Sequence, residues 1–168
     1  DEIYVCSDNQ GAEKISNKMG VMFAKRIEEP ANNERFLIDV VKEFINQKKI
    51  EPDDTLAVRL ATNPLIKVTE INDMMKIFLS EKLTVASFSE NKLRRHLLFE
   101  EKNENIMEPI FQDLYQKNTK SDAGKSEFFF NEGLVIDFTK NWSARGTLIP
   151  MNVYGFKTKS NGVFIDTL

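Results

Sequence analysis

The stretch that decides the fold runs from Ser126 to Phe138 and reads Ser-Glu-Phe-Phe-Phe-Asn-Glu-Gly-Leu-Val-Ile-Asp-Phe. Aromatic and β-branched residues stand on both sides of a short polar link, which suits two half-buried strands. The link, residues 131–133, ends in Gly133, and glycine adopts a positive φ without steric cost. The pattern therefore predicts a hairpin in which the chain reverses at this link.

A second hairpin is predicted further along the chain. Residues 152–156 and 163–167 are again rich in aromatic and β-branched residues, and Ser160-Asn161-Gly162 between them favours a turn. Upstream, apolar residues recur at helical spacing over residues 15–27, 36–45 and 71–79. We therefore expect an α+β fold, in which several amphipathic helices pack on an antiparallel sheet formed mainly by the two C-terminal hairpins. Residues 3–6 are expected to add a strand.

The remaining segments give weaker patterns. Residues 56–62 favour a short helix after Asp54, although alternating apolar residues also fit a strand. Residues 83–88 predict a short strand, and Ser87 with Glu90 has the form of a capping box that starts a helix. A further helix is expected over residues 105–115. Residues 140–146 are predicted to form a loop that carries Trp142 and Arg145.

The length of 168 residues predicts a single α+β domain over residues 1–168. A sub-boundary near residues 63–69 is the alternative, because the segment 69–140 is expected to run helix, strand, helix, helix, hairpin. That order of elements is the order of a winged-helix domain, which is an analogy at the level of the fold alone.

Composition restricts the classes of partner and the compartment. The formal net charge of −3 argues against a large nucleic-acid or anionic-membrane footprint, which needs a basic surplus. The single Cys6 excludes an internal disulfide and fits a reducing compartment. No apolar run is long enough to cross a bilayer, so no membrane partner is expected. We predict an intracellular, cytoplasmic protein. A secreted mature chain is the alternative, because the sequence does not begin with Met.

Catalytic constellations find little support. His96 is the only histidine, and a triad would have to combine it with Asp137 or Asp166 and with Ser89 or Cys6, for which the spacing gives no support. A metal-dependent nuclease would use Asp137 and Lys140 beside the first hairpin.

Two details weaken these enzyme interpretations. Phe138 stands where a nuclease needs a second acid, and alternation places Asp137 on a solvent-facing side of the strand. The Gly124-Lys125-Ser126 sequence resembles the end of a phosphate-binding loop, but it leads into a strand rather than a helix. We therefore predict no catalytic residue, no metal ligand and no cofactor, and an enzyme is less favoured than a binding protein.

The favoured function is a non-catalytic protein-interaction or structural module that uses an exposed sheet face or loop, with a protein as its partner. Aromatic residues and arginine dominate interface energetics. The predicted partner-binding residues are Trp142, Arg145, Tyr154 and Phe156.

The alternative is a nucleic-acid-binding domain that uses a basic helix over residues 90–102. Its phosphate-binding residues would be Lys92, Arg94, Arg95 and Lys102. Glu100 and Glu101 lie in the same segment, so a solvated helix face competes with this interpretation. The nuclease is the second alternative.

Overall fold

A computed structural model describes residues 2–26, 37–90, 99–103, 106–110 and 128–159. The structure is an α+β fold, as the sequence predicts. The elements, in chain order, are β1 (Tyr4–Ser7), α1 (Gln10–Lys18), β2 (Met22–Lys25), α2 (Leu37–Lys48), β3 (Thr55–Val58), α3 (Val68–Glu81), β4 (Val85–Glu90), β5 (Phe99–Asn103), β6 (Ile106–Pro109), β7 (Phe128–Phe138), α4 (Thr139–Ala144) and β8 (Tyr154–Lys157).

The main sheet has the strand order β3-β7-β4-β8 and is mixed. Strand β3 runs antiparallel to β7, with Ala57 opposite Ile136. The amide of Tyr154 donates to the carbonyl of Thr84, and the amide of Thr158 donates to the carbonyl of Phe88. Residue numbers rise together along the two strands, from Tyr154 with Thr84 to Thr158 with Phe88, so β8 runs parallel to β4. Two further sheets have two strands each, the parallel pair β1-β2 and the antiparallel pair β5-β6.

The first predicted hairpin is wrong, because β7 continues without a reversal from Phe128 to Phe138. The positive φ expected at the link falls on Glu132, at 55°, so the strand changes direction locally but goes on. In the sheet, β7 lies between β3 and β4. Apolar residues on both sides of the link therefore belong to one central strand. Residues 133–137 are all buried, so this part of β7 is covered on both faces.

Of the second predicted hairpin, the structure contains the first strand as β8. The returning strand predicted over residues 163–167 lies outside the described residues.

Two of the three predicted helical stripes are confirmed. Helix α2 buries Ile38, Val41 and Ile45, and α3 buries Met74 and Phe78. The remaining predicted stripe, residues 15–27, is wrong beyond Lys18. The chain leaves α1 through Gly20, at a φ of 68°, and enters β2. Two stripe residues on the helical side of that break, Ile15 and Met19, are exposed. Helical spacing alone did not reveal that these apolar side chains are not packed against a core.

Four further local predictions are wrong, and in the first three of them strand pairing overrides a local helical pattern. Residues 55–58 form β3 against β7 rather than a helix. Ser87 lies inside β4 rather than at a helix N-cap, and the helix predicted after it falls on residues 91–98, outside the described part. Residues 106–109 form β6, so the winged-helix order does not hold there. Residues 139–144 form α4 rather than a loop.

The chain divides into two compact units. Unit 1 comprises Asp1–Val58, Met75–Val85 and Val135–Tyr154, and unit 2 comprises Arg59–Met74, Ala86–Leu134 and Gly155–Leu168. In the described part, the apolar core of unit 1 contains Ala24, Ile38, Val41, Ile45, Phe78, Val85, Val135, Ile136 and Trp142. The apolar core of unit 2 is smaller and contains Ile66, Met74, Ala86 and Leu134.

Among the described residues, unit 2 buries more polar residues than apolar ones. The polar ones are Asn63, Glu70, Ser87, Ser89 and Asn131. Such a composition is unusual for a protein core, and buried polar groups of this kind occur at binding sites. None of the described helices has the length and apolar character required to span a lipid bilayer.

Candidate binding site in unit 2

Five side chains of unit 2 form a hydrogen-bonded group, which we call the polar cluster: Asn63, Ser87, Ser89, Asn131 and Thr158. Asn131 of β7 lies at its centre. Its Oδ1 accepts from Ser87 Oγ at 2.5 Å and from the backbone amide of Gly133 at 3.1 Å. Its Nδ2 donates to Ser89 Oγ and to Thr158 Oγ1, both at 2.9 Å. The amide of Asn131 is therefore fully used.

Strand periodicity explains why the two serines meet Asn131. Ser87 and Ser89 are two residues apart on β4, so both hydroxyls lie on the same face of the strand. Ser87 Oγ also accepts from the backbone amide of Leu134 at 2.9 Å. Buried hydroxyls are costly unless they are hydrogen-bonded, and here both are. The cluster is therefore an ordered polar interior rather than a packing defect.

Gly133 is required by the close approach of three polar side chains. A Cβ at this position would lie 3.0 Å from Ser87 Oγ, 3.1 Å from Asn131 Oδ1 and 3.3 Å from Asn63 Nδ2. Any larger residue would push these groups apart. The glycine that the sequence suggested as a turn residue thus serves packing around the polar cluster.

Asn63 connects the loop before α3 to the polar cluster and keeps one unused acceptor. Its Nδ2 donates to the backbone carbonyl of Asn131 at 2.6 Å. Among the described residues, its Oδ1 has no hydrogen-bond partner, and neither has Thr62 Oγ1, although both atoms are buried. A buried polar atom without a partner costs about 1–3 kcal/mol. These two atoms are where a polar ligand would gain most from the site.

Glu70 fixes the backbone around the polar cluster. Its side chain is only 6% exposed, and its two oxygens accept from the backbone amides of Lys67, at 2.9 Å, and Lys159, at 2.8 Å. The first bond satisfies an amide at the start of α3, where amides lack helical partners. The second holds the residue after Thr158, so Glu70 helps to position the Thr158 hydroxyl.

The four predicted partner-binding residues are in different environments. Trp142 is buried and donates from Nε1 to the carbonyl of Leu56 at 3.2 Å. Arg145 is mostly buried beside Asp137. Phe156 is half-buried, whereas Tyr154 is 41% exposed on β8. Burial makes Trp142 and Arg145 anchors of unit 1 in this conformation, and the partner-binding role of all four stays a prediction.

Asp137 does not face solvent, so that expectation is wrong. It is 1% exposed. Four donors surround its carboxylate: Thr84 Oγ1, Arg145 Nη1, the amide of Phe138 and Asn141 Nδ2. A carboxylate satisfied in this way offers nothing to a nuclease metal ion. In the described ranges, no group of three or more His, Cys, Asp or Glu residues could hold a metal ion.

Most of the predicted nucleic-acid surface cannot be placed. Lys92, Arg94 and Arg95 lie outside the described residues. Lys102 is on β5, exposed, with its Nζ 2.5 Å from Glu108 Oε2 of β6. The hydrogen bond to Glu108 and the charge of that carboxylate raise the pKa of Lys102. The nucleic-acid alternative stays a prediction.

The polar cluster was missed because each member suggested a different local role. Ser87 resembled a helix cap and Asn131 a turn residue. A usable signal was present in β4, where serines at 87 and 89 alternate with the apolar Ala86 and Phe88. Polar residues on one face of a strand whose other face is apolar indicate a polar environment on that face.

No family profile and no curated protein matches the sequence. Among solved structures, the chain is similar to CMP:2-keto-3-deoxy-manno-octonic acid synthetase complexed with CTP. The TM-score is 0.64 and the identity is 11%, over 99% of this chain and 76% of that one. At this identity, the likeness establishes that the two chains share a fold.

Proposed function

We propose that this protein is a sugar-activating nucleotidyltransferase that binds a sugar acid and a cytidine nucleotide and joins them. The shared fold supports the class, because the similar structure is a CMP-sugar-acid synthetase with CTP bound and matches nearly the whole chain. Fold alone does not define function, so the residues of a site must carry the proposal.

The observation that carries the proposal is the polar cluster. Sugar acids present many hydroxyls and one carboxylate, which are recognised by asparagine, serine and threonine side chains in a mostly fixed arrangement. In this chain such side chains are concentrated in unit 2 and held by hydrogen bonds to one another. The unpartnered Asn63 Oδ1 and Thr62 Oγ1 offer an acceptor and a hydroxyl for a bound ligand. We assign ligand recognition to these two residues.

The proposed reaction is cytidylyl transfer. A sugar hydroxyl oxygen forms a bond to the α-phosphorus of CTP, the bond from that phosphorus to the oxygen bridging to the β-phosphorus breaks, and pyrophosphate leaves. The hydroxyl proton passes to solvent. The contribution of the polar cluster is orientation, since a sugar already held in the correct position loses less entropy on reaching the transition state.

The test is calorimetric titration of the chain with CTP and with 2-keto-3-deoxy-manno-octonic acid, followed by an assay of pyrophosphate release. Thr62→Val removes an unpartnered buried hydroxyl while it keeps the shape of the side chain. We expect about 3- to 10-fold weaker binding of the sugar acid, the equivalent of one hydrogen bond. The melting temperature should stay the same or rise.

The matched control is Thr69→Val on the exposed surface of α3 in the same unit, which should change neither binding nor pyrophosphate release. Equal affinity of Thr62→Val and the unmodified chain for the sugar acid would remove Thr62 from the site. A folded chain that binds neither CTP nor the sugar acid would contradict the proposed function itself.

A second candidate function is protein binding, which the sequence analysis favoured through an exposed sheet face or loop, and β8 is the part of the structure that we propose for it. The supporting observation is that β8 is the last strand in the order β3-β7-β4-β8 and carries the partly exposed Tyr154. An edge strand presents backbone groups that can pair with a strand of another protein. Tyr154 would supply the aromatic contact for such a partner.

A further inference from the structure

Arg145 of unit 1 is held in a defined orientation by three neighbours. Its Nη1 lies 2.5 Å from Asp137 Oδ2 and 3.5 Å from Thr84 Oγ1. Its guanidinium stacks on Trp142, with 3.9 Å between the guanidinium carbon and the ring centroid. The side chain is 11% exposed, and this burial lowers the pKa of Arg145 below its usual value. The guanidinium is therefore fixed before any ligand arrives.

The other edge of this guanidinium has nothing to bind in the described part of the chain. Both Nε and Nη2 are buried, and neither has a hydrogen-bond acceptor there. These two N–H groups point the same way and form the fork with which arginine binds a carboxylate or a phosphate through two parallel hydrogen bonds. Leaving buried donors unpaired is costly, so the arrangement suits an external acceptor.

Asp137 cannot turn to satisfy that edge, because four donors already surround its carboxylate. Positive charge is also present at this end of β7. The Nζ of Lys82 lies 5.9 Å from the ring centroid of Phe138, the residue after Asp137. Lys140, at 5.3 Å from the same ring, is paired with Asp53 at 2.7 Å. A Cβ added to the next residue, Gly146, would meet nothing within 4 Å, so the backbone after Arg145 is open to solvent.

We propose that the Nε/Nη2 edge of Arg145 is a binding subsite for an oxyanion, either a carboxylate or a phosphoryl group. The subsite belongs to unit 1 and is argued without the polar cluster, so it does not depend on the proposed function. Three sources share this chemistry: the carboxylate of a sugar acid, a nucleotide phosphate and free inorganic phosphate.

Trp142 provides a direct readout, because it is the only tryptophan in the chain and touches the Arg145 guanidinium. Its emission is measured while inorganic phosphate, acetate, CMP and 2-keto-3-deoxy-manno-octonic acid are titrated separately at constant ionic strength. We expect a saturable change with at least one of these probes. The probe that saturates at the lowest concentration identifies the source of the oxyanion.

Arg145→Lys keeps the positive charge but loses the two-pronged edge, so we expect at least 10-fold weaker binding of the same probe. Arg26→Lys is the matched control, because Arg26 is a more exposed arginine of unit 1, paired with Asp8 at 2.7 Å. It should leave the titration unchanged. Circular dichroism of each variant verifies that it is folded.

If Arg145→Lys does not fold, Lys82→Gln replaces it, since Lys82 is exposed and its loss leaves the Asp137 pair intact. Removal of this nearby charge should weaken binding a few-fold. The inference is overturned if no probe gives a saturable change in the unmodified chain. It is equally overturned if the response follows ionic strength alone, or if the folded Arg145→Lys or, in its place, Lys82→Gln binds as well as the unmodified chain.

Discussion

The buried pair Asp137–Arg145 shows how single residues determine the interior of unit 1. The carboxylate receives one charged and three neutral hydrogen bonds, and the guanidinium rests on the ring of Trp142. Two buried charges lose much of their hydration, and their attraction offsets this loss only while both are present. Removal of either partner alone should therefore destabilise the folded protein strongly.

Asp137→Asn tests this dependence. The substitution removes the charge opposite Arg145 and turns one oxygen into an NH2 group that cannot accept a hydrogen bond. Oδ2 accepts from Arg145 and Oδ1 accepts from Asn141, so either choice loses an acceptor. We expect a loss of about 3–5 kcal/mol in the free energy of unfolding, the usual cost of leaving a buried charge uncompensated. Urea denaturation followed by Trp142 fluorescence measures it.

Asp53→Asn is the control for that substitution. Asp53 pairs with Lys140 at 2.7 Å, but its side chain is 85% exposed, so screening by water limits the loss to about 0–1 kcal/mol. Similar losses for the two variants would show that burial does not govern the energy of the Asp137–Arg145 pair.

At the scale of elements, β7 is the strand on which the fold depends. Its apolar residues Leu134, Val135 and Ile136 are buried because β3 and β4 pair with it on either side. Its polar residue Asn131 is buried because it faces Ser87 and Ser89. The local irregularity at Glu132 and Gly133 permits both parts to belong to one strand.

Gly133→Ala tests the close packing within this strand. The added Cβ would lie about 3 Å from Ser87 Oγ and Asn131 Oδ1, whose hydrogen bonds leave them little freedom to move. We expect a loss of about 1–3 kcal/mol in the free energy of unfolding, the usual cost of overpacking. Thermal unfolding followed by circular dichroism measures it.

Gly146→Ala provides the comparison, because a Cβ there meets nothing within 4 Å. That substitution should leave stability unchanged within about 0.5 kcal/mol, or increase it slightly by restricting the unfolded chain. If both alanine variants proved equally stable, the polar cluster would be looser than its distances indicate.

At the scale of the whole molecule, the chain shares its fold with CMP:2-keto-3-deoxy-manno-octonic acid synthetase, and a likeness at 11% identity shows the fold alone. Among the described residues, β8 is the outermost strand of the main sheet on its side and carries the partly exposed Tyr154. The net charge of −3 gives no general attraction for nucleic acid.

Tyr154→Ala tests whether β8 binds a protein partner through this side chain. If β8 binds a protein, this variant should lose a partner that co-purifies with the unmodified chain, and its melting temperature should change little. Met151→Ala is the control, because Met151 is fully exposed and lies outside the strand. Retention of the partner by Tyr154→Ala would exclude this tyrosine as its contact, and unfolding of the variant would assign Tyr154 to the structure instead.

Much of the secondary structure could be predicted from the sequence, but the candidate site could not. Helices α2 and α3 follow from spacing along a few turns, which is a local property. Strand character in β3 and β7 is visible in the sequence, but the choice of a strand for residues 55–58 and the continuity of β7 depend on their pairing with each other. The polar cluster joins residues 68 and 44 positions apart, as in Asn63 with Asn131 and Ser87 with Asn131.

The sequence by itself determined the α+β class, the amphipathic faces of α2 and α3, and the strand character of residues on both sides of Glu132. Only the tertiary structure decided that β7 continues past Glu132 without a hairpin and that Asp137 and Arg145 meet inside unit 1. It also decided that Asn131 forms hydrogen bonds with the hydroxyls of Ser87, Ser89 and Thr158. The physical reason is that burial is not a property of a segment. A polar side chain is stable inside a protein when distant parts of the chain supply its hydrogen-bond partners, and only the folded chain brings those parts together.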